Sequence, residues 1–586
     1  MRFVRLTGAI LPIIFVLVFS GCGGGGSEAE ERFNAGEGLQ REGQLEEAIT
    51  EFDASIQLNS KVAATYVNRG LAYLTLGQHQ RAIEDYDEAI RLDPRAALAY
   101  GYRGAAYGEL GQHQRAINDL DAAIRLEPQF DLAYTNRGTA YIRLGQPQRA
   151  IDDLNEAIRL NNENAAAFYN RGLAYDSLGQ YELAIRDLDE AILLDPQFAF
   201  AYNNRGKAYN ELGQHAIAIQ DLNQAIGLDP LQINAHNNLG LAYAGLGDYQ
   251  RAIESYDEVI RLAPRNASAY VNRAVAYFGQ GQYERAIQEL TQAILLDPQL
   301  APAYVNRGSA YNEEGQYQLA IQDSDEAIRL DSRLSSAYYI RGHAYIGLGQ
   351  NQSAIEDYDE AIRLDPQYSL AYGGRGNAYA GLGQYQRAIQ DYDEAIRLNP
   401  KDVDAYYNRG LSYANLGQLQ QAVQDYDEAI RLDPQDALAF TNRGKVYSGL
   451  GQHGPAVQDH DEAIRLDPQL ALAYSNRGAT YSDLGQYDMA LQDHDQAIRL
   501  DPELVQAYSN RGNTYGKLGQ IESAIEDYSE AIRLDPLLAL TYVNRALAYT
   551  LLGNEQAARQ DVDRAVELGL DRGLLEGVIE QAMGQR

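Results

Sequence analysis

Few side chains of this chain are placed for covalent or metal chemistry. Cys22 is the single cysteine, so neither an internal disulfide nor a thiolate metal cluster can form. Of the eight histidines, His79, His113, His215 and His453 fall in expected turns. His236, His460 and His494 stand where aromatic residues recur, and His343 stands alone. None is paired at metal-ligand spacing. Clustered carboxylates such as Glu84, Asp85, Asp87 and Glu88 raise calcium as a ligand, but the loops lack the alternating Asp, Asn and Gly of an EF-hand. Gly23 to Gly26 follow no strand and open no phosphate loop. The residue with recurring chemistry is asparagine. It stands at Asn34, Asn68, Asn136, Asn170, Asn204, Asn238, Asn272, Asn306, Asn408, Asn442, Asn476, Asn510 and Asn544, always at multiples of 34 residues. An amide offers both donors and an acceptor, enough to engage the backbone of an extended peptide. The same amide suits a structural row bonded to neighbouring units or water, and the sequence leaves both open. Tyr102, Ile340 and Gly374 interrupt the row. These breaks read either as points of selectivity or bending or as drift.

The elements that carry this row repeat without insertion. Gly70 recurs every 34 residues from Gly36 onward, with Ala274 and Ala546 in its place twice, giving sixteen units. A fixed period of this length marks a solenoid, in which each unit buries its apolar face against its neighbours. Within the unit 64–97, Asp93-Pro94 reads as an N-cap followed by a first-turn proline. A helix of about a dozen residues then ends before a glycine that occupies its place in every unit, from Gly43 through Gly77 to Gly553. A second helix runs from about Gln80 to Leu92, with Ala82, Ile83, Tyr86, Ala89 and Ile90 on one face. Gly70 costs about 1 kcal/mol inside a helix relative to alanine, so its recurrence implies close helix contact. Arg69 recurs in fourteen units and is expected to pair with Asp85 or Asp87 of its own unit. Asp87 and Arg91 have i,i+4 spacing.

The aromatic, glycine, tyrosine, two alanines and proline seen as Tyr66, Gly70, Tyr73, Ala82, Ala89 and Pro94 resemble the tetratricopeptide repeat pattern. Arginine just before the glycine departs from that pattern, where leucine is usual. The resemblance implies an all-α fold, a right-handed α-solenoid superhelix of about sixteen helix-turn-helix repeats. First helices would line a concave groove and second helices would face outward. It also implies that asparagine in the Asn68 place contacts bound peptide. Members that clamp a C-terminal carboxylate use clustered basic residues, whereas Lys61, Lys207, Lys401, Lys445 and Lys517 are scattered. The repeats are expected over 29–568. Leu570, Leu574, Leu575, Val578, Ile579, Ala582 and Met583 form an apolar stripe, so 569–586 should hold a C-terminal capping helix.

The N-terminal stretch resembles a bacterial lipoprotein signal peptide. Arg2 and Arg5 precede an apolar run, and Phe19-Ser20-Gly21-Cys22 stands as its lipobox, with Phe19 in place of the usual leucine. This implies a signal peptide at 1–21, lipidation at Cys22, a Gly-rich tether over 22–28 and a location in the bacterial cell envelope. A plain secretory signal or a tail-less anchor is the alternative. The formal charge of −33 repels phosphate backbones, so nucleic acid is not an expected partner. No room remains for a catalytic domain, and no metal, cofactor or small-molecule substrate is expected. The chain therefore reads as a non-enzymatic, membrane-anchored scaffold that binds proteins or extended peptides. The alternative is a pilotin-like assembly factor of an envelope machine for pili, secretion or polysaccharide export.

Overall fold

The computed structural model describes residues 27–583. Within them are thirty-three α-helices, α1 (Glu28–Arg41) to α33 (Arg572–Met583), and no strand. The helices fall into two compact units that divide after Pro298, with α1–α16 in the first and α17–α33 in the second. Odd-numbered helices up to α31 (Ala539–Leu551) open each repeat and even-numbered ones close it. In both units, a first helix packs on its own second helix, which packs on the next first helix. Successive first helices also touch, whereas successive second helices do not. The first helices thus form the tighter layer of each stack.

The unit anticipated from the sequence is seen in α3 (Ala63–Thr75) and α4 (His79–Leu92). Gly77 ends α3 at φ +73, and all sixteen turn glycines lie between +67 and +81, a region that a side chain disfavours. Gln78 N–H donates to the Tyr73 carbonyl at 2.8 Å and Gly77 N–H to that of Leu74 at 3.0 Å. This Schellman closure satisfies carbonyls at the end of the helix. The internal glycine has the contact its cost implied. A Cβ on Gly70 would lie 2.7 Å from the Tyr86 ring, and one on Gly104 2.7 Å from Leu120 Cγ.

Two local expectations change. Asp93-Pro94 does not begin a helix, because α4 ends at Leu92 and α5 (Ala97–Glu109) starts only at Ala97. Asp93 Oδ1 instead accepts from Arg95 N–H at 2.9 Å, and its carbonyl accepts from Ala96 N–H at 3.1 Å. Aspartate first and proline second suit this four-residue turn as well as they suit a helix start. At the far end, only Leu575 and Ile579 of the apolar stripe are buried, against α31 and α32 (Glu555–Glu567). Leu574 and Val578 are exposed, because residues one step back on a helix point about 100° away. Leu570 packs at the edge, and the side chains of Ala582 and Met583 lie outside the described residues.

Candidate functional site

On a first helix, the places of Ala64, Asn68, Leu71 and Thr75 follow one another at three- and four-residue steps and share a side. The open character of that side is clear at Leu370, Leu411 and Leu438, which are 50%, 40% and 45% exposed. The asparagine row lies along it. Asn34 is exposed and the other twelve are half-buried. Asn204 Nδ2 donates to the Tyr169 hydroxyl at 2.9 Å, and Asn442 Nδ2 to that of Tyr407 at 2.7 Å. Asn238, Asn272 and Asn544 donate to Asn203, Asn237 and Asn513 at 3.0, 2.9 and 3.1 Å. Asn68 donates to Glu37 at 3.3 Å and Asn510 to Ser475 at 3.2 Å. All seven acceptors belong to the preceding first helix. Asn306 turns back to the Pro302 carbonyl at 3.0 Å, and Asn476 Nδ2 is buried with no partner. Seven of the thirteen amides thus tie neighbouring repeats together through their N–H groups, which leaves their carbonyl oxygens as acceptors.

The three breaks in the row have packing causes. The Asn68 place of one repeat lies over the Tyr86 place of the repeat before it. Tyr102 stacks on Tyr86 there, with ring centroids 6.1 Å apart. Tyr358 leans so far across that a Cβ on Gly374 would lie 2.6 Å from its Cζ. Where Ser324 replaces the large residue, Ile340 fills the space and comes within 3.3 Å of a Cβ built on Gly308.

The arginine row is structural and reaches further than the sequence suggested. Arg103 binds Asp119 of its own repeat with two hydrogen bonds of 2.7 Å, and its third contact is Asp87 of the preceding repeat at 2.6 Å. Arg443 repeats this with Asp459 and Asp427. Asp85 and Asp87 therefore serve different arginines. Arg69 takes Asp85 and Asp53, while Asp87 reaches forward to Arg103. The expected Asp87–Arg91 pair is replaced by Glu88–Arg91 at i,i+3. The aspartates in the Asp85 place are buried, and Arg69 also lies 5.6 Å from the Tyr66 ring centroid. Burial opposes the charge of Arg69, but Asp85 and Asp53 outweigh it and raise its pKa further. The forward contact was missed although its signal is in the sequence, since Asp53 and Asp85 stand sixteen residues either side of Arg69.

His460 and His494 are fully buried against Gly444 and Gly478. Burial first, then nearby Arg477 and Arg511, lowers their pKa to about 4, so both rings are neutral at pH 7. Among the described residues, no group of three or more His, Cys, Asp or Glu could hold a metal ion. No described helix is long and apolar enough to cross a membrane. Cys22 lies outside the described residues.

Repeating antiparallel helix pairs with an open first-helix face define a helical-repeat scaffold. Sequence comparison places the scaffold more narrowly. Profiles described as TPR repeat match 138–179, 206–247, 342–383 and 376–417. Profiles described as tetratricopeptide repeat match 63–95, 165–198, 403–436, 471–504 and 505–536. Others of that description match 237–303 and 271–335, 188–220, and 97–130 and 437–470. The chain belongs to the tetratricopeptide repeat family. Comparison with the curated proteins finds no match. Among solved structures, the chain is similar to the "APC/C hetero-tetramer Cut9-Hcn1", with 17% identity, TM-score 0.50, and coverage of 83% of this chain and 96% of that one. A tetratricopeptide repeat protein from Parabacteroides merdae ATCC 43184 is 23% identical, with TM-score 0.36 and coverage of 42% and 98%. YrrB, described as "a TPR protein with an unusual peptide-binding site", is 27% identical, with TM-score 0.28 and coverage of 31% and 95%.

Proposed function

We propose that this chain is a non-catalytic scaffold that holds extended segments of partner proteins along its first-helix face, anchored to a bacterial envelope membrane by lipid on Cys22. The observation that carries the binding role is the half-buried asparagine row. The seven amides fixed through their N–H groups present carbonyl oxygens, so they can accept from the backbone N–H groups of an extended peptide without ordering their own side chains anew. The tetratricopeptide repeat family, whose members commonly mediate protein–protein contact, supports the same role. Changing Asn170, Asn204 and Asn238 together to alanine is expected to weaken capture of partner segments in crosslinking from the native envelope, with helicity by circular dichroism retained. Unchanged capture sinks the ligand role of the row.

The anchoring part rests on the resemblance of Phe19 to Cys22 to a lipobox. Cys22→Ser is expected to move the protein from the membrane fraction to the soluble fraction. Retention of the serine variant in the membrane fraction overturns the lipid anchor and leaves the binding role intact.

A further inference from the structure

We propose that the face formed by α19 (Ser335–Gly347), α21 (Ser369–Gly381), α23 (Val403–Asn415) and α25 (Ala437–Gly449) docks a peptide segment carrying a lysine or arginine among aliphatic residues, with the cation seated over Gly373. This rests on the reading of that face as the peptide site and names the chemistry it takes at one place.

The first observation is a gap. Helix α21 carries neighbouring glycines at 373 and 374. Gly374 is needed because Tyr358 fills its side-chain space, but a Cβ on Gly373 meets nothing within 4 Å. In the preceding repeat Tyr339 holds the corresponding place, and Tyr407 holds it in the following one. Gly373 is therefore a notch between two tyrosines. The half-buried Tyr339 ring stands 5.2 Å from the half-buried Tyr368 ring, and aromatic faces of this kind favour cations.

The second observation is unbalanced charge. Asp402, Asp404 and Asp436 lie at and near the starts of α23 and α25. Asp402 and Asp436 accept from backbone N–H groups there, at 3.0 Å from Ala405 and 2.8 Å from Leu438. Among the described residues, none of the three forms an ion pair, although ion pairs are abundant elsewhere in the stack. Asp404 is exposed, and its carboxyl is raised by partial burial and by its two like-charged neighbours. Tyr339 is raised by burial, then by Asp402, Glu313 and Asp404. Its hydroxyl thus feels the carboxylates at the start of α23. A lysine or arginine placed there relieves the mutual repulsion of the acids, while an acidic or phosphorylated segment meets like charge.

The third observation is apolar surface beside these acids. Leu370, Leu411 and Leu438 are 50%, 40% and 45% exposed on the same side of α21, α23 and α25. Aliphatic residues flanking the cation have matching surface at hand.

The test uses the full chain on an array of capped random dodecamer peptides. Bound peptides are expected to be enriched in Lys or Arg with aliphatic neighbours. The enrichment should fall about tenfold in capture for D402N/D404N/D436N, in which asparagine preserves the helix caps. A second variant, G373F, fills the notch without changing any charge and is expected to abolish the same enrichment. Overall acidity cannot explain such losses, because the first variant removes three charges from a chain at −33 and the second removes none. Binding without basic enrichment, or enrichment that survives both variants, overturns this proposal and leaves the wider peptide reading standing. Absence of all binding overturns both. Self-association through this face, abolished by G373F in sedimentation, assigns it to a second copy and also overturns the proposal.

Discussion

At the scale of single residues, the chain separates charge that is balanced from charge that is not. Most recurring arginines are half-buried and shared by two carboxylates on successive second helices, as Arg103 is by Asp119 and Asp87, so losing the arginine strands a buried acid. The one repeat after the first that lacks it confirms the logic from within the sequence. Leu239 replaces the arginine, and its two partner places hold Ser255 and Asn223 instead of aspartate. The buried histidines show the opposite case, chargeable groups with no acid bonded to them. His460 Nδ1 and Nε2 and His494 Nδ1 have no hydrogen-bond partner. Their pKa falls to about 4 because burial disfavours the cation, so the opened form takes up protons from about pH 6.5 downward while the folded form resists. Stability present above that pH is lost as pH falls towards 4 and changes little below it. By pH 5 the loss should be about 2 kcal/mol per histidine. Hydrogen exchange in α26 (His453–Leu466) and α28 (Tyr487–Leu500), corrected for intrinsic rates, should show reduced protection at pH 5 against pH 7. H460Y/H494Y, which gives both repeats the tyrosine carried by the repeats on either side as Tyr426 and Tyr528, should remove that difference. An unchanged profile in the double variant means that other groups control acid opening.

At the scale of elements, the periodic positions were legible in the sequence and the exceptions were not. The helix pair, the turn glycine and the small-residue contact follow from local rules that each repeat restates. The Asp93-Pro94 turn was misplaced because aspartate and proline satisfy a turn and a helix start equally. The breaks at Tyr102, Ile340 and Gly374 were opaque because their cause lies sixteen residues earlier, in the size and lean of Tyr86, Ser324 and Tyr358. Spatial neighbours of that kind emerge only when one helix is laid on another. Helix α21 makes the difference between neighbouring glycines testable. Gly373→Ala adds a methyl to open space and removes the helix cost of glycine, so it should raise protection in α21 by about 1 kcal/mol. Gly374→Ala drives a Cβ to 2.6 Å from the Tyr358 ring and should cost about 1–3 kcal/mol. Equal responses at the two positions would contradict the close approach of Tyr358.

At the scale of the whole molecule, the decisive feature is that within each compact unit, among the described residues, no helix touches another more than two places away in chain order. Stability in such a stack is a sum of local pieces and nearest-neighbour contacts. Neither composition nor length announces this; the unbroken period does, which is why the architecture was readable before any side-chain contact. The arginine row then sets how strongly one repeat holds the next. Arg409 bridges Asp425 on α24 (Leu419–Leu432) and Asp393 on α22 (Tyr385–Leu398). Arg409→Leu alone leaves Asp425 buried without its partner and should cost about 3–5 kcal/mol. That cost should appear as lost hydrogen-exchange protection in α21 to α25, with α29 (Val505–Lys517) to α33 unaffected. The triple variant R409L/D393N/D425S copies the arrangement at Leu239, Asn223 and Ser255 and should recover most of the protection. Loss that spreads evenly through all helices would mean that the stack unfolds as one cooperative body. Loss in the single variant that the triple variant does not repair would mean that the arginine row contributes through its packing on Tyr406 rather than its charge.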